Sequence, residues 1–531
     1  MSKKRHHKKR KEPTSAELGP VPSPEVPSPR RSPVRWAIAI GALAAIVWFG
    51  APHIFRAETP TTPPPAPPRT TPAPTTPRPP ASPHVRPARM TETPDAIDVR
   101  VPLSDAPAAL RLVWIGDMRA RVDACECRQN LRLPFVASLL RRLASGPPRT
   151  LLLDVGGAID GDSPFDRARQ DVYAAALKDL GFAALAVGGG RGYLSPEQST
   201  ALAAAGPPLL TLGGTPLTLP FGTRSVSFAC VDSPPVVPQK RGPNPQPAPP
   251  WPAPAAPEQA ASALAPLRAR GDFVFLLGDL SREDADRIAA LPQAPDVILA
   301  ARGIVAGVIL KDETRGIQYE DFMARSGRTW IFGLPLSSFG GVRWLEVAQD
   351  GSPVAYGMIQ PSPKLASDTQ VSERVEAFMR RLETDPSLTA RPPRRFASEP
   401  RENDASDAYV GADACIRCHA KQGTQWRSTP HSYATKELEQ IDRHYDPSCI
   451  TCHSTGYGYP TGYSPKGEPK RALRDVGCET CHGPGRLHSE TPKDKALLRR
   501  GSSTLCLECH DGRDAKPLGE GLEKAYERIR H

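Results

Sequence analysis

Histidine is missing from residues 85 to 418, and methionine from every position after 379. The first gap excludes any metal centre that depends on imidazole from the middle of the chain. The second excludes a methionine thioether as a metal ligand in the C-terminal part. Apolar side chains are also sparse after residue 406, too sparse for that part to build an ordinary core by itself. Proline, by contrast, is abundant, 63 in 531 residues, so much of the chain is not packed core and a multidomain protein joined by Pro-rich linkers is expected.

The net charge of +11 raises the question of a nucleic-acid partner until its distribution is read. Residues 1–35 carry ten Lys or Arg against three acids, which is most of the excess. A basic tail before an apolar run is a topology signal, so no nucleic-acid partner is expected. The apolar run 36–55 reaches about 30 Å as a helix, just enough to cross a bilayer. A cleavable signal peptide is the competing reading; it has a shorter basic region as a rule, and no clear small-residue cleavage site follows here. The expectation is an uncleaved single-pass anchor in the cytoplasmic (inner) membrane, with the C-terminal bulk in the periplasm or exported space.

Six segments follow: a basic tail (1–35), a transmembrane helix (36–55), a Pro/Thr-rich linker (56–95), an α/β domain (96–362), a second linker with one helix at 367–383 (363–405), and a C-terminal domain (406–531). As an extended polyproline II stalk rising roughly 3.1 Å per residue, the first linker would hold the rest on the order of 100 Å from the membrane. In 96–362, apolar runs at 110–117, 149–157, 182–190, 273–280, 296–303 and 328–334 alternate with helical patterns such as 131–143 and 167–180, which predicts an α/β sandwich. The Pro-rich stretch 233–257 reads as a surface loop.

The C-terminal domain repeats one motif, Cys-x-x-Cys-His, four times. The copies are Cys415, Cys418 and His419; Cys449, Cys452 and His453; Cys478, Cys481 and His482; and Cys506, Cys509 and His510. Two thiols on one helical turn clamp a porphyrin edge through thioethers, and the next His ligates iron. Zinc ribbons also use Cys-x-x-Cys, but zinc does not require His after every second Cys, so no zinc is expected. Four covalently attached c haems follow, and their porphyrins must supply most of this mainly α domain's core. The leftover thiols are Cys125, Cys127 and Cys230; one of the first two bridging to Cys230, or metal or redox roles, stay open.

With methionine excluded, the sixth iron ligands must come from His431, His444, His488 and His531 if the haems are bis-His, which also implies low potentials. His431 stands twelve residues after His419 and His488 six after His482, past the turn Gly483-Pro484-Gly485. His444, in "EQIDRHY", reads equally as a helix-surface histidine, and His531, the last residue, reads as a free tail.

Two resemblances extend these readings. The strand ends of 96–362 resemble the 5'-nucleotidase class of calcineurin-like metallophosphoesterases, whose motifs hold two metal ions. Asp117 keeps the first Asp, but Arg119 stands for a His, Gly157 for the bridging Asp, Gly188-Gly189-Gly190-Arg191 for Gly-Asn-His-Glu, Asp279 for another His, and residues 300–304 for Gly-Gly-His-x-His. The resemblance implies a phosphatase-like fold that has lost its chemistry, with Arg119, Arg191 and Arg302 as arginines that either line a reused cleft or lie on the surface. Residues 407–512 resemble the multihaem cytochrome c family that includes the tetrahaem electron acceptor of hydroxylamine oxidoreductase, in which such histidines ligate haems other than the adjacent one and an open haem occurs. This implies an exported electron carrier with redox partner proteins rather than an enzyme. The alternatives are a haem enzyme acting on a small nitrogen compound at a five-coordinate haem, and a surviving phosphoesterase in 96–362.

Overall fold

In the computed structural model the described residues are 89–123, 132–158, 161, 163–187, 195–233, 255–301, 308–312, 317–333, 342–362, 364–390, 407–466, 473–507, 509–510 and 521–531. The span predicted at 36–55, most of the first linker and residues 234–254 of the Pro-rich loop lie outside them. Among the described residues no helix is long and apolar enough to cross a membrane.

Among the described residues fifteen strands run through the α/β domain in chain order: β1 (Arg89–Glu92), β2 (Ala96–Pro102), β3 (Leu110–Ile115), β4 (Arg149–Asp154), β5 (Phe182–Val187), β6 (Leu209–Thr211), β7 (Leu217–Phe221), β8 (Arg224–Cys230), β9 (Phe273–Gly278), β10 (Val297–Ala300), β11 (Val308–Asp312), β12 (Ile317–Ser326), β13 (Thr329–Gly333), β14 (Val342–Val347) and β15 (Pro353–Pro361). They form two sheets, one ordered β1-β2-β15-β14-β3-β4-β5-β6 and the other β11-β12-β13-β10-β9-β8-β7. The central strands β3 to β6 and β8, β9, β10, β13 pair in parallel, and antiparallel strands flank them. Parallel strands are covered on both faces, which is why their sequences read as unbroken apolar runs; all six residues of β9 are buried.

Helices cover the outer faces. α1 (Leu133–Ala144), α2 (Pro164–Asp179) and α3 (Pro196–Ala205) belong to the first sheet's side, and α4 (Ala256–Ala269) and α5 (Arg282–Ala289) to the second's. α2 begins with a capping box: Ser163 Oγ accepts from the Asp166 amide and Asp166 Oδ2 accepts from the Ser163 amide, each at 3.2 Å, with Pro164 at the first helical position. Between the sheets Trp114, Phe332 and Tyr356 form an aromatic cluster, with ring centroids 4.8 to 6.3 Å apart, inside a core that also holds Leu112, Phe228 and Phe275. The result is a four-layer sandwich, helix on sheet on sheet on helix.

Two boundaries move. Residues 89–92, read as linker, form β1 and pair antiparallel with β2. The helix expected in the second linker, α6 (Thr369–Thr384), with α7 (Pro386–Thr389), is part of the core: Val371, Val375, Phe378, Leu382 and Leu388 are buried with residues of α1 and α2. Its amphipathic pattern needed an apolar face to cover it, and the first sheet's helices supply one.

The C-terminal region consists of short helices: α8 (Ala412–Ile416), α9 (Ala420–Arg427), α10 (Ala434–Gln440), α11 (Pro447–His453), α12 (Cys478–His482), α13 (Arg486–Glu490), α14 (Ser503–Cys506) and α15 (Leu522–Ile529). Among the described residues its own apolar cluster is small, six buried residues including Tyr409, Leu438 and Ile450.

Candidate haem-binding region

Each motif folds back on itself so that two thiols and one imidazole share a turn. Two of the four are wholly helical: Cys449, Cys452 and His453 lie in α11, and Cys478, Cys481 and His482 in α12. The other two only begin in a helix, Cys415 in α8 and Cys506 at the end of α14, and backbone hydrogen bonds complete the turn. The amides of Cys418 and His419 donate to the Cys415 carbonyl at 3.2 and 3.0 Å, and those of Cys509 and His510 to the Cys506 carbonyl at 3.3 and 2.8 Å. None of the eight motif cysteines is spent on a disulfide. Cys418 is exposed, whereas Cys415, Cys449, Cys452, Cys478, Cys481, Cys506 and Cys509 are half-buried. The sequence treats the eight as equivalent, and the structure separates Cys418 from the rest by its exposure.

Long-range structure then decides which histidines meet. His419 faces His488 with ring centroids 6.3 Å apart, His510 faces His431 at 6.3 Å, and His482 faces His531 at 5.6 Å. With a metal–imidazole bond of about 2 Å and the ring centre about 1 Å beyond the nitrogen, two trans imidazoles stand roughly 6 Å apart. Each pair joins one motif histidine to one that lies outside any motif, at a separation that fits an iron between them.

Nδ1 hydrogen bonds aim several of these rings. Nδ1 of His482 donates to the Arg499 carbonyl at 2.9 Å, of His488 to the Asp494 carbonyl at 3.2 Å, and of His531 to the Ile529 carbonyl at 3.1 Å. A carbonyl only accepts, so Nδ1 carries the proton and Nε2 is left as the ligand nitrogen. Burial, then the neighbouring His510 and His453, holds the His431 imidazole below its ordinary pKa. Burial is also the main cause at His482; the Arg499 carbonyl opposes it, and His531 adds to it. Both rings are therefore biased toward the neutral, ligating form.

His453 differs. Its Nδ1 donates to the Ala434 carbonyl at 2.8 Å, so its Nε2 is prepared like the others. Among the described residues no imidazole stands opposite it at the separation of the three pairs. His444 packs instead on Tyr445, with ring centroids 4.2 Å apart, and its buried Nδ1 has no hydrogen-bond partner. Burial lowers its pKa while Asp442 and Glu383 raise it. The structure thus brings His431 and His488 opposite proximal histidines, does not bring His444 there, and brings His531, which the sequence reads as a tail. α15 carries that last residue back, and Tyr526 Oη on it donates to the Gly501 carbonyl at 2.9 Å.

Buried Glu479, inside the third motif, ties the region together. Its carboxylate accepts from the amides of Val410, Gly411 and Gly485 at 2.7 to 2.9 Å. Burial raises its pKa against those three amides.

The α/β domain's strand ends can be compared with the resembled motifs where they are described. Gly157, where the family has a bridging Asp, has φ +71, and a Cβ there would lie 2.8 Å from Asp117 Cα, so no side chain fits. Arg119, at a His position, is buried in an ion pair with Asp117 at 3.2 Å. Asp279 donates its amide to Asp232 Oδ1 at 2.7 Å, and Ala300 and Ala301 are buried. Residues 188–191 and 302–304, with Arg191 and Arg302, and the pair Cys125 and Cys127, lie outside the described residues. Cys230 is a free thiol buried between the sheets. Among the described residues no group of three or more His, Cys, Asp or Glu is arranged to hold a metal ion.

Comparison with known proteins agrees on the C-terminal region. The family described as cytochrome c554 and c-prime matches residues 414–483, and the doubled CXXCH motif matches 471–515. Cytochrome c-554 of Nitrosomonas europaea is 36% identical over 157 residues, a match that takes in 23% of this chain and 66% of that protein. Similar solved structures include a 5'-nucleotidase precursor from Thermus thermophilus (17% identity, TM-score 0.38, 52% of this chain and 59% of that one). Another is a Haemophilus influenzae NAD nucleotidase (15%, 0.36, 55% and 57%). The chain thus spans less than two thirds of the length of each. Its four motifs and the matches over 414–515 identify the C-terminal region as a multihaem c-type cytochrome.

Proposed function

We propose that this chain is a membrane-anchored, exported tetrahaem cytochrome that carries electrons between redox partner proteins, with three bis-His haems and one whose sixth position is open. The single observation behind it is the trio of facing rings, His419 with His488, His510 with His431 and His482 with His531, at 5.6 to 6.3 Å. The pairs Cys415 and Cys418, Cys449 and Cys452, Cys478 and Cys481, and Cys506 and Cys509 would hold the four haems, which supply one-electron transfer at iron. The protein's part is to fix the rings: Nδ1 hydrogen bonds set their orientation, and Glu479 holds two segments of backbone, at 410–411 and 485, around the third motif. The basic tail, the apolar run 36–55 and the Pro-rich stalk support anchoring at the inner membrane with the haems outside the cytoplasm.

A second reading, binding or turnover of a small ligand such as nitric oxide or hydroxylamine, is favoured at one place, His453, which has no opposing imidazole among the described residues. Titrating the reduced holoprotein with nitric oxide tests both. One equivalent bound per chain is expected; no uptake would remove the open site, and several equivalents would remove the bis-His pairs. Catalytic turnover of hydroxylamine would make the second reading the main one.

A further inference from the structure

The stretch of chain around the second motif is bound to the α/β domain by side chains that haem attachment does not need. Buried Arg443, between α10 and α11, donates from Nε to Asp123 Oδ2 at 2.6 Å and from Nη2 to Glu376 Oε1 on α6 at 2.8 Å. Its Nη1 donates to the carbonyls of Ile441 and Asp442 at 3.3 and 3.2 Å. Asp123 is shared, because its Oδ1 accepts from Arg132 Nε at 2.6 Å. Beside Cys449, Ser448 Oγ accepts from Arg169 Nη1 on α2 at 3.2 Å. Past the motif, Tyr457 Oη donates to the Thr389 carbonyl at 2.6 Å, and before it Tyr445 packs on the core of α1, α2 and α6. Contacts on both sides therefore bracket residues 449–453.

The charges in these contacts reach the attachment sulfur. Burial pushes the Cys449 thiol well up, Asp446 and Asp123 push it further, and Arg443 opposes them. Asp123 and Arg443 are buried, where charges act far more strongly than on a surface and favour or disfavour the extra positive charge of oxidised iron directly; Glu376, 46% exposed, adds a weaker, solvent-screened anion.

We propose that the α/β domain is a clamp for one of the four haems, the one attached at Cys449 and Cys452, and that the Asp123–Arg443–Glu376 network sets that haem's reduction potential. The proposal rests on the reading that haem is attached at all four motifs. It gives the domain a task that needs no catalytic site: it fixes one redox step within the chain. Arg443, Asp123 and Glu376 are positioning residues, since none occupies a ligand position.

The test is a redox titration of the full-length holoprotein, followed by electron paramagnetic resonance so that each haem is read separately. Arg443→Met removes a cation and is expected to lower the midpoint of the second-motif haem. Asp123→Asn removes an anion and is expected to raise it, with the other three midpoints unmoved in both. If either variant fails to retain four haems, Glu376→Gln replaces Asp123→Asn with the same sign, and Arg169→Gln replaces Arg443→Met. Shifts of equal sign, shifts shared by all four haems, or no shift would overturn the clamp. If the parent protein shows no high-spin haem, the open-site reading fails alone, because the opposite-signed shifts of a single haem are still read.

Discussion

The two folded regions reach order by opposite routes. The α/β domain encloses its own core: two sheets sandwich a cluster around Trp114, Phe332 and Tyr356, and helices seal both outer faces. The C-terminal region has six buried apolar residues in its cluster and four attachment motifs. Ordinary side-chain burial can stabilise the first, whereas the second must recruit porphyrin as core material. The fold of one is written in its apolar residues and that of the other in its cysteines and histidines.

The contrast can be broken most sharply by withholding haem. Chain made without haem attachment should keep the α/β domain's secondary structure and lose order over 407–531, seen as selective proteolysis of that part and partial loss of helical circular dichroism. A C-terminal region that stays protease-resistant would show that it carries a sufficient core of its own.

The converse is a cavity in the other core. Trp114→Ala should destabilise the α/β domain by about 3–5 kcal/mol in denaturant titration while the haem absorption spectrum stays unchanged. Loss of haem absorption along with stability would mean the two regions do not fold independently.

A subtler difference is pH dependence. Asp154 is fully buried, accepts from Tyr173 Oη at 2.6 Å and from the Gly156 amide at 2.9 Å, and burial lifts its pKa from 3.8 to about 7. The folded state binds its proton more tightly than the unfolded state, so this group's contribution is fully present below pH 3.8 and is lost as pH rises toward about 7. Thermal unfolding of the α/β domain should therefore show stability falling with pH across that window. Asp154→Asn should flatten that trend, and an unchanged slope would remove the carboxyl from the account.

The most local effect concerns the last residue. His531→Ala should convert one haem from low-spin to high-spin without changing haem content or stability, whereas His444→Ala should leave every spin state as it was. The reverse pattern would exchange the roles of these two histidines.

Legibility in the sequence follows the same division. Runs such as 149–154 and 273–278 read as strands because parallel strands are apolar on both faces. β14 does not, because it interrupts its apolar residues with Arg343 and Glu346, and Glu346 pairs with Arg100 and Arg111 from strands more than 230 positions away, at 2.7 and 2.8 Å. α6 is visible as a helix, but its role in the core is not, since its partners α1 and α2 lie far upstream. Cys-x-x-Cys-His carries its meaning in five adjacent residues, so all four attachment points are plain, although the exposure that sets Cys418 apart is not. His431 and His488 are flagged by nearby spacing and turns; His531 gives no local signal, because only the return of α15 brings it to His482.

The most direct test of the central claim is low-temperature electron paramagnetic resonance on the oxidised holoprotein, with its mass measured alongside. Four haem additions, with three low-spin signals and one high-spin signal, are predicted. A colourless protein, fewer than four additions, or four equivalent low-spin haems would contradict it.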